Sequence, residues 1–168
     1  PLRSWSMAKS VLATLVGILV DEGRLDPDSP ASVPEWQGRS DPRRDITLGD
    51  LLRMRSGLAW REDYVDAAAS DAQEMLFGSG QGDMAAFAAA QPLAHPPGTV
   101  THYSSGTSNL VSRIVADVVE AGAAAPNDAH ARAVRYEAWA RSVLFDPIGM
   151  RSVSPRFDDA GTWIGSSY

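Results

Sequence analysis

Cysteine is missing altogether, and lysine occurs once. The first absence excludes disulfides and thiolate metal sites, and it leaves the redox compartment undecided, so cytoplasm and periplasm both stay open. Clustered positive charge is also lacking. The net charge of -6 at pH 7, with no basic run, argues against nucleic acid or an anionic membrane surface as partner. Long apolar runs are absent too. The longest, Val11 to Val20, covers ten residues and contains Gly17, about half of what a bilayer-crossing helix requires. No basic start with a small-residue cleavage site precedes it, so it reads as a core helix and not as a secretory leader or membrane segment. The three histidines, His95, His102 and His130, have no ligand spacing, and no acidic pair completes a metal site, so neither metal nor cofactor is expected.

What is present is the composition of a folded domain, 44% hydrophobic and 21% charged, of a length suited to one domain. Residues Met7, Val11, Leu15, Ile18 and Leu19 repeat at helical spacing, with Leu12, Val16 and Val20 on the other faces; Gly23, Pro27 and Pro30 stop the helix. In DITLGDLLRMRSGL, Thr47 and Asp50 form a capping box and Gly57 closes the helix they open. Trp60 to Gly82 reads as a mobile surface excursion with a helical turn or two, and Asp83 to Gln91 as helix. After the stiff HPPG turn and an extended piece, the spacing predicts a buried helix over 109–120 and an amphipathic one over 129–145, ended at Pro147. The chain is therefore mainly α, with no internal repeat.

The chemistry concentrates in SMAK. A serine hydroxyl is a weak nucleophile until a base takes its proton, and Ser6 and Lys9, three apart on a helix, lie on one face beside the first-turn N–H groups. Lysine serves as base only when unprotonated, which burial against apolar walls favours. An ordinary solvated lysine is the plain alternative. The count weighs against it: the other fourteen basic residues are arginine, which cannot give up its proton. A proton must also reach the leaving group. Tyr103, in HYSSGTSN, is a candidate shuttle, with Ser105 as a hydrogen-bonding neighbour; a surface-packed tyrosine and His102 as the base are the alternatives.

These motifs resemble the serine β-lactamase and penicillin-recognising family, in the class C-like branch that holds D-alanyl-D-alanine peptidases, family VIII carboxylesterases and 6-aminohexanoate-dimer hydrolases. SMAKS resembles its nucleophile motif, PPGTVTHYSSGTSNLV its tyrosine motif, and LFDPIGM its Pro-Leu-Gly-Met signature; DEGRLDPDSPASVPEW and ITLGDLLRMRSGL resemble the stretches between. The resemblance implies Ser6 as acylated nucleophile, Lys9 as base, Tyr103 as proton shuttle, and the Ser6 N–H as half of an oxyanion hole. The family often has asparagine where this chain has Ser105, which points away from a true β-lactamase and toward the dimer-hydrolase and esterase branch. There a later tyrosine contacts the substrate amide, a place Tyr168 could fill.

The family's third motif, Lys-Thr-Gly or His-x-Gly on a strand, has no counterpart here. The expectation is thus a helical lobe, spanning residues 1–168, of a single α/β catalytic domain in which helices flank an antiparallel sheet. The sheet strands and third motif would lie outside the chain, cut at both ends. The implied function is a serine hydrolase acting on a small amide or ester. A non-catalytic penicillin-binding sensor, a true β-lactamase or D-alanyl-D-alanine carboxypeptidase, and a purely helical interaction module are the competing readings.

Overall fold

The helix that organises the molecule is the one the sequence places after the tyrosine motif. In the computed structural model, which describes residues 3–65, 70–121 and 128–167, it is one of six α-helices among the described residues. They are α1 (Ala8–Asp21), α2 (Leu48–Leu52), α3 (Asp71–Phe77), α4 (Met84–Ala89), α5 (Ser105–Glu120) and α6 (Ala129–Ala140). Helix α5 contacts each of the other five. Its buried face includes Leu110, Val111, Ile114, Val115 and Ala116, and it meets Leu12, Leu15, Val16 and Leu19 of α1 in one core. No strand forms among the described residues; only isolated bridges join Pro30 to Thr47, Leu58 to Leu93 and Phe157 to Trp163.

Local chemistry explains the boundaries. Thr47 and Asp50 make the reciprocal capping box that opens α2. The helix closes earlier than its sequence implies: Met54, at φ 56, takes the left-handed position, and Gly57, at φ 77, turns the chain beside His95 instead. Helix α5 also starts before Asn109, because Ser104 is extended and its hydroxyl accepts from the Thr107 N–H, a cap that carries the first turn back to Ser105. Helix α6 runs into a π-helical turn over Arg141–Phe145, ahead of Pro147.

The stretch after Trp60 is not a loose excursion where it is described. Trp60, Ala72, Met75 and Leu76 are buried: Trp60 lies against Gly106 of α5 and Phe87 of α4, and α3, capped by Ser70, packs on the same two helices. At the other end, the segment Trp163–Ser167 lies across α1 and α5. The Ser112 hydroxyl donates to the Trp163 carbonyl at 2.7 Å, and the Asn109 amide donates to Ser166 Oγ at 3.1 Å. These two bonds fix the C-terminal segment over the start of α1.

Candidate active site

Ser6 sits in a 3-10 turn, Trp5–Met7, that runs directly into α1. Trp5, immediately before it, has φ 47. A side chain in that region costs roughly 1–2 kcal/mol, and such strained residues cluster where a side chain is held out for use. The consequence here is an exposed Ser6 at a helix start, where first-turn N–H groups lack intrahelical acceptors.

Three of the sequence-predicted residues meet at that hydroxyl or beside it. Lys9 Nζ is 3.0 Å from Ser6 Oγ, and the Tyr103 hydroxyl donates to the same oxygen at 2.6 Å. Lys9 also lies over the Tyr103 ring, 4.8 Å from its centroid, a favourable cation–π distance. Ser105, at the first position of α5, accepts from Lys9 at 3.1 Å, and the Ser166 carbonyl accepts from it at 2.9 Å. The apolar walls expected around Lys9 are therefore not what surrounds it. Lys9 is half-buried among three oxygens and a phenol ring, because its chain passes the polar N-terminus of α5 and not the helix's apolar stripe. Tyr168 lies outside the described residues.

A second layer of the site was not read from the sequence. Glu62 accepts four hydrogen bonds: from the Ser105 hydroxyl (2.7 Å) and Tyr64 hydroxyl (2.5 Å) on Oε1, and from the Ser105 N–H (2.7 Å) and Trp60 indole (2.9 Å) on Oε2. Burial pushes its carboxyl up, but these donors outweigh that and hold it below the usual carboxylate range. Partial burial of the Tyr64 hydroxyl, with the Glu62 carboxylate beside it, raises the phenol to about 12. An acidic residue followed two positions later by tyrosine carries no spacing signal, which is why the pair escapes notice in the chain. An open cleft of about 590 Å³ is lined by Trp60 to Tyr64 and Thr101 to Tyr103, so Tyr103 is both a wall of the cleft and a partner of Ser6. His102 belongs to that wall, and its N–H donates to the Met54 carbonyl; neither described partner of Ser6 Oγ is a histidine.

Chemically, a hydroxyl held between an amine and a phenol can lose its proton to one and receive protons from the other. No described group of histidines and acids has the arrangement of a metal site. No helix among the described residues is long and apolar enough to cross a membrane.

The family model described as Beta-lactamase matches residues 1–158, and the chain belongs to that family. Over 65 residues, 38% of the chain, it is 40% identical to a 6-aminohexanoate-dimer hydrolase of Paenarthrobacter ureafaciens, and it spans only 16% of that relative's length. Two solved structures share the fold. A D-stereospecific amidohydrolase from Streptomyces sp. superposes with a TM-score of 0.60 at 24% identity, over 89% of this chain and 43% of its own. A putative 6-aminohexanoate-dimer hydrolase from Bacillus anthracis does so with a TM-score of 0.66 at 14% identity, over 97% of this chain and 42% of its own. The chain thus spans less than half the length of each.

Proposed function

We propose that this chain is the helical lobe of a serine hydrolase that cleaves a small amide or ester through an acyl-enzyme on Ser6. The support is one observation: Ser6 Oγ is hydrogen-bonded at once to Lys9 Nζ and to the Tyr103 hydroxyl. In this reading Ser6 Oγ attacks the substrate carbonyl carbon while its proton passes to Lys9. The new C–O bond forms as the carbonyl π electrons move onto oxygen, and the first-turn N–H of Ser6 faces the resulting oxyanion. Collapse breaks the bond to the leaving amine or alcohol, which takes a proton through Tyr103. Water then attacks the Ser6 ester, releases the acid and restores the hydroxyl.

In this reading a second oxyanion donor and the opposite cleft wall come from an antiparallel sheet that carries the family's third motif. Among substrates, an amide is favoured by the relatives, whose names describe a 6-aminohexanoate-dimer hydrolase and a D-stereospecific amidohydrolase. The lack of asparagine at Ser105 favours the same branch over a true β-lactamase.

The test is a fluorophosphonate reaction on the folded natural protein, followed by peptide mass spectrometry. An adduct on Ser6, lost in Ser6→Ala, is the expected result. A folded protein without that adduct overturns the reading. A stable acyl adduct formed from substrate without turnover would convert it to that of a binding protein.

A further inference from the structure

We propose that Glu62 is a positioning residue: by accepting the Ser105 hydroxyl proton it orients the Lys9 amine so that its exchangeable position faces Ser6. The inference rests on the reading of Ser6 and Lys9 given above.

It follows from counting hydrogens. A lysine nitrogen offers three N–H donors when charged, and two donors and a lone pair when neutral. The Ser166 carbonyl, 2.9 Å away, can only accept. Ser105 Oγ, 3.1 Å away on another side, could accept or donate, but its one hydrogen goes to Glu62 Oε1 at 2.7 Å. Toward Lys9 it can therefore only accept. Two N–H bonds are committed in either protonation state, and the third position, N–H or lone pair, is the one directed at Ser6 Oγ, 3.0 Å away. A neutral Lys9 in this frame can take a proton from Ser6. Without an acceptor at position 62, the Ser105 hydroxyl is free to rotate and donate to that lone pair, occupying the place Ser6 needs.

The carboxylate is itself well fixed. Its donors come from Trp60, Tyr64 and both the N–H and hydroxyl of Ser105, so all four contacts demand an acceptor and the ionised form satisfies each. A glutamine in its place would turn an NH2 group toward some of these donors. The charged and titratable groups nearby are Tyr64 on the same loop, Lys9 of α1 across Ser105, Tyr103 before α5, and Arg61, Asp63 and His102, which line the same cleft.

The experiment is the rate of Ser6 acylation by a fluorophosphonate as a function of pH, in the full natural protein. It compares wild type, Glu62→Gln, Glu62→Asp, Ser105→Ala and the Glu62→Gln/Ser105→Ala double variant. Glu62→Gln should lower the maximal rate at least about tenfold, part of the roughly 10²–10⁴ that a positioned base supplies. Its rising limb should also move to lower pH, since a nearby negative charge is lost and a donor faces the amine. Glu62→Asp, which keeps the carboxylate, should regain part of the rate. The double variant should match Ser105→Ala, because the effect passes through that hydroxyl. Wild-type rate and pH profile in Glu62→Gln overturn the inference, and so does a double variant whose losses multiply. Where Glu62→Gln does not fold, Ser105→Ala decides: an unchanged rate and profile overturn it. A labelled wild type with unaffected variants defeats only the role of Glu62; an unlabelled wild type defeats the serine-hydrolase reading as well.

Discussion

The indole of Trp60 occupies the space a side chain on Gly106 would need: a Cβ there would come within 2.6 Å of ring carbons Cη2 and Cζ3. Glycine at the second position of α5 lets the ring lie on the first turn, and from there its Nε1 reaches Glu62. One small residue thus connects helix packing to the site. Gly106→Ala is expected to destabilise the fold by up to about 2 kcal/mol, the overpacking cost of about 1–3 less the gain of about 1 for alanine over glycine in a helix. The same change should slow Ser6 acylation under conditions where the protein remains folded. Urea unfolding and fluorophosphonate kinetics measure the two effects separately.

Lys9→Arg keeps a cation beside Ser6 but replaces the chain's one lysine with a guanidinium, which cannot give up its proton. Acylation is expected to fall by roughly 10²-fold or more. The melting temperature should move little, since Lys9 is half-buried. Retained acylation in this variant would show that another group is the base.

Tyr103→Phe deletes the hydroxyl 2.6 Å from Ser6 Oγ. An amine leaving group needs a proton, whereas p-nitrophenolate does not. The variant is therefore expected to lose roughly 10²-fold against an amide and much less against a p-nitrophenyl ester. Equal losses on both substrates would contradict a shuttle role.

Arg113 of α5 is bound at 2.7 and 2.6 Å by both oxygens of Glu35, a two-point pairing that ties the loop before α2 to the central helix. Side-chain exposures are 11% and 34%, so removing Arg113 should cost less than the roughly 3–5 kcal/mol of a fully buried pair. A loss of about 2–3 kcal/mol on Arg113→Ala, read by chemical denaturation, is the expected result. Burial pushes the Glu35 carboxyl up, but Arg113 more than offsets this and holds it below its ordinary value of 4.5. The stability it contributes is present above that value and is lost as the pH falls through the lowered folded one.

Asp158 behaves in the opposite sense. Burial raises its carboxyl from 3.8 to about 6, against the N–H groups of Thr162 and Met84 that bond to it. Between these values the folded state binds the extra proton, so this group's stabilisation is complete below about 4 and lost as the pH rises through about 6. The loss is up to about 3 kcal/mol. Melting temperatures at pH 5 and pH 7 should show that decline, and Asp158→Asn should flatten it.

Much of the lobe was legible in the chain because its signals are local. The capping box at Thr47 and Asp50, the apolar spacing of α1 and α5, and the stop at Gly23, φ 68, depend on residues within a turn of one another. So does the Ser6–Lys9 pair, which helix geometry alone sets side by side. The start of α5 lies about one turn ahead of where the apolar spacing puts it, because its cap, Ser104, is one of several serines in YSSGTSN and nothing local singles it out.

The amino-acid sequence by itself determined the helical character, the family, and which hydroxyl, amine and phenol are available for chemistry. Only the tertiary structure decided what surrounds the amine. Glu62 is 43 residues from the Ser105 it orients, and Ser166 is 157 from the Lys9 it binds. No periodicity connects positions so far apart; they meet because Trp60 settles on Gly106 and because Ser112 and Asn109 hold the 163–167 segment over α1. The one lysine in the chain is surrounded by oxygens and a phenol because those packing contacts, and not its own neighbours, choose its company.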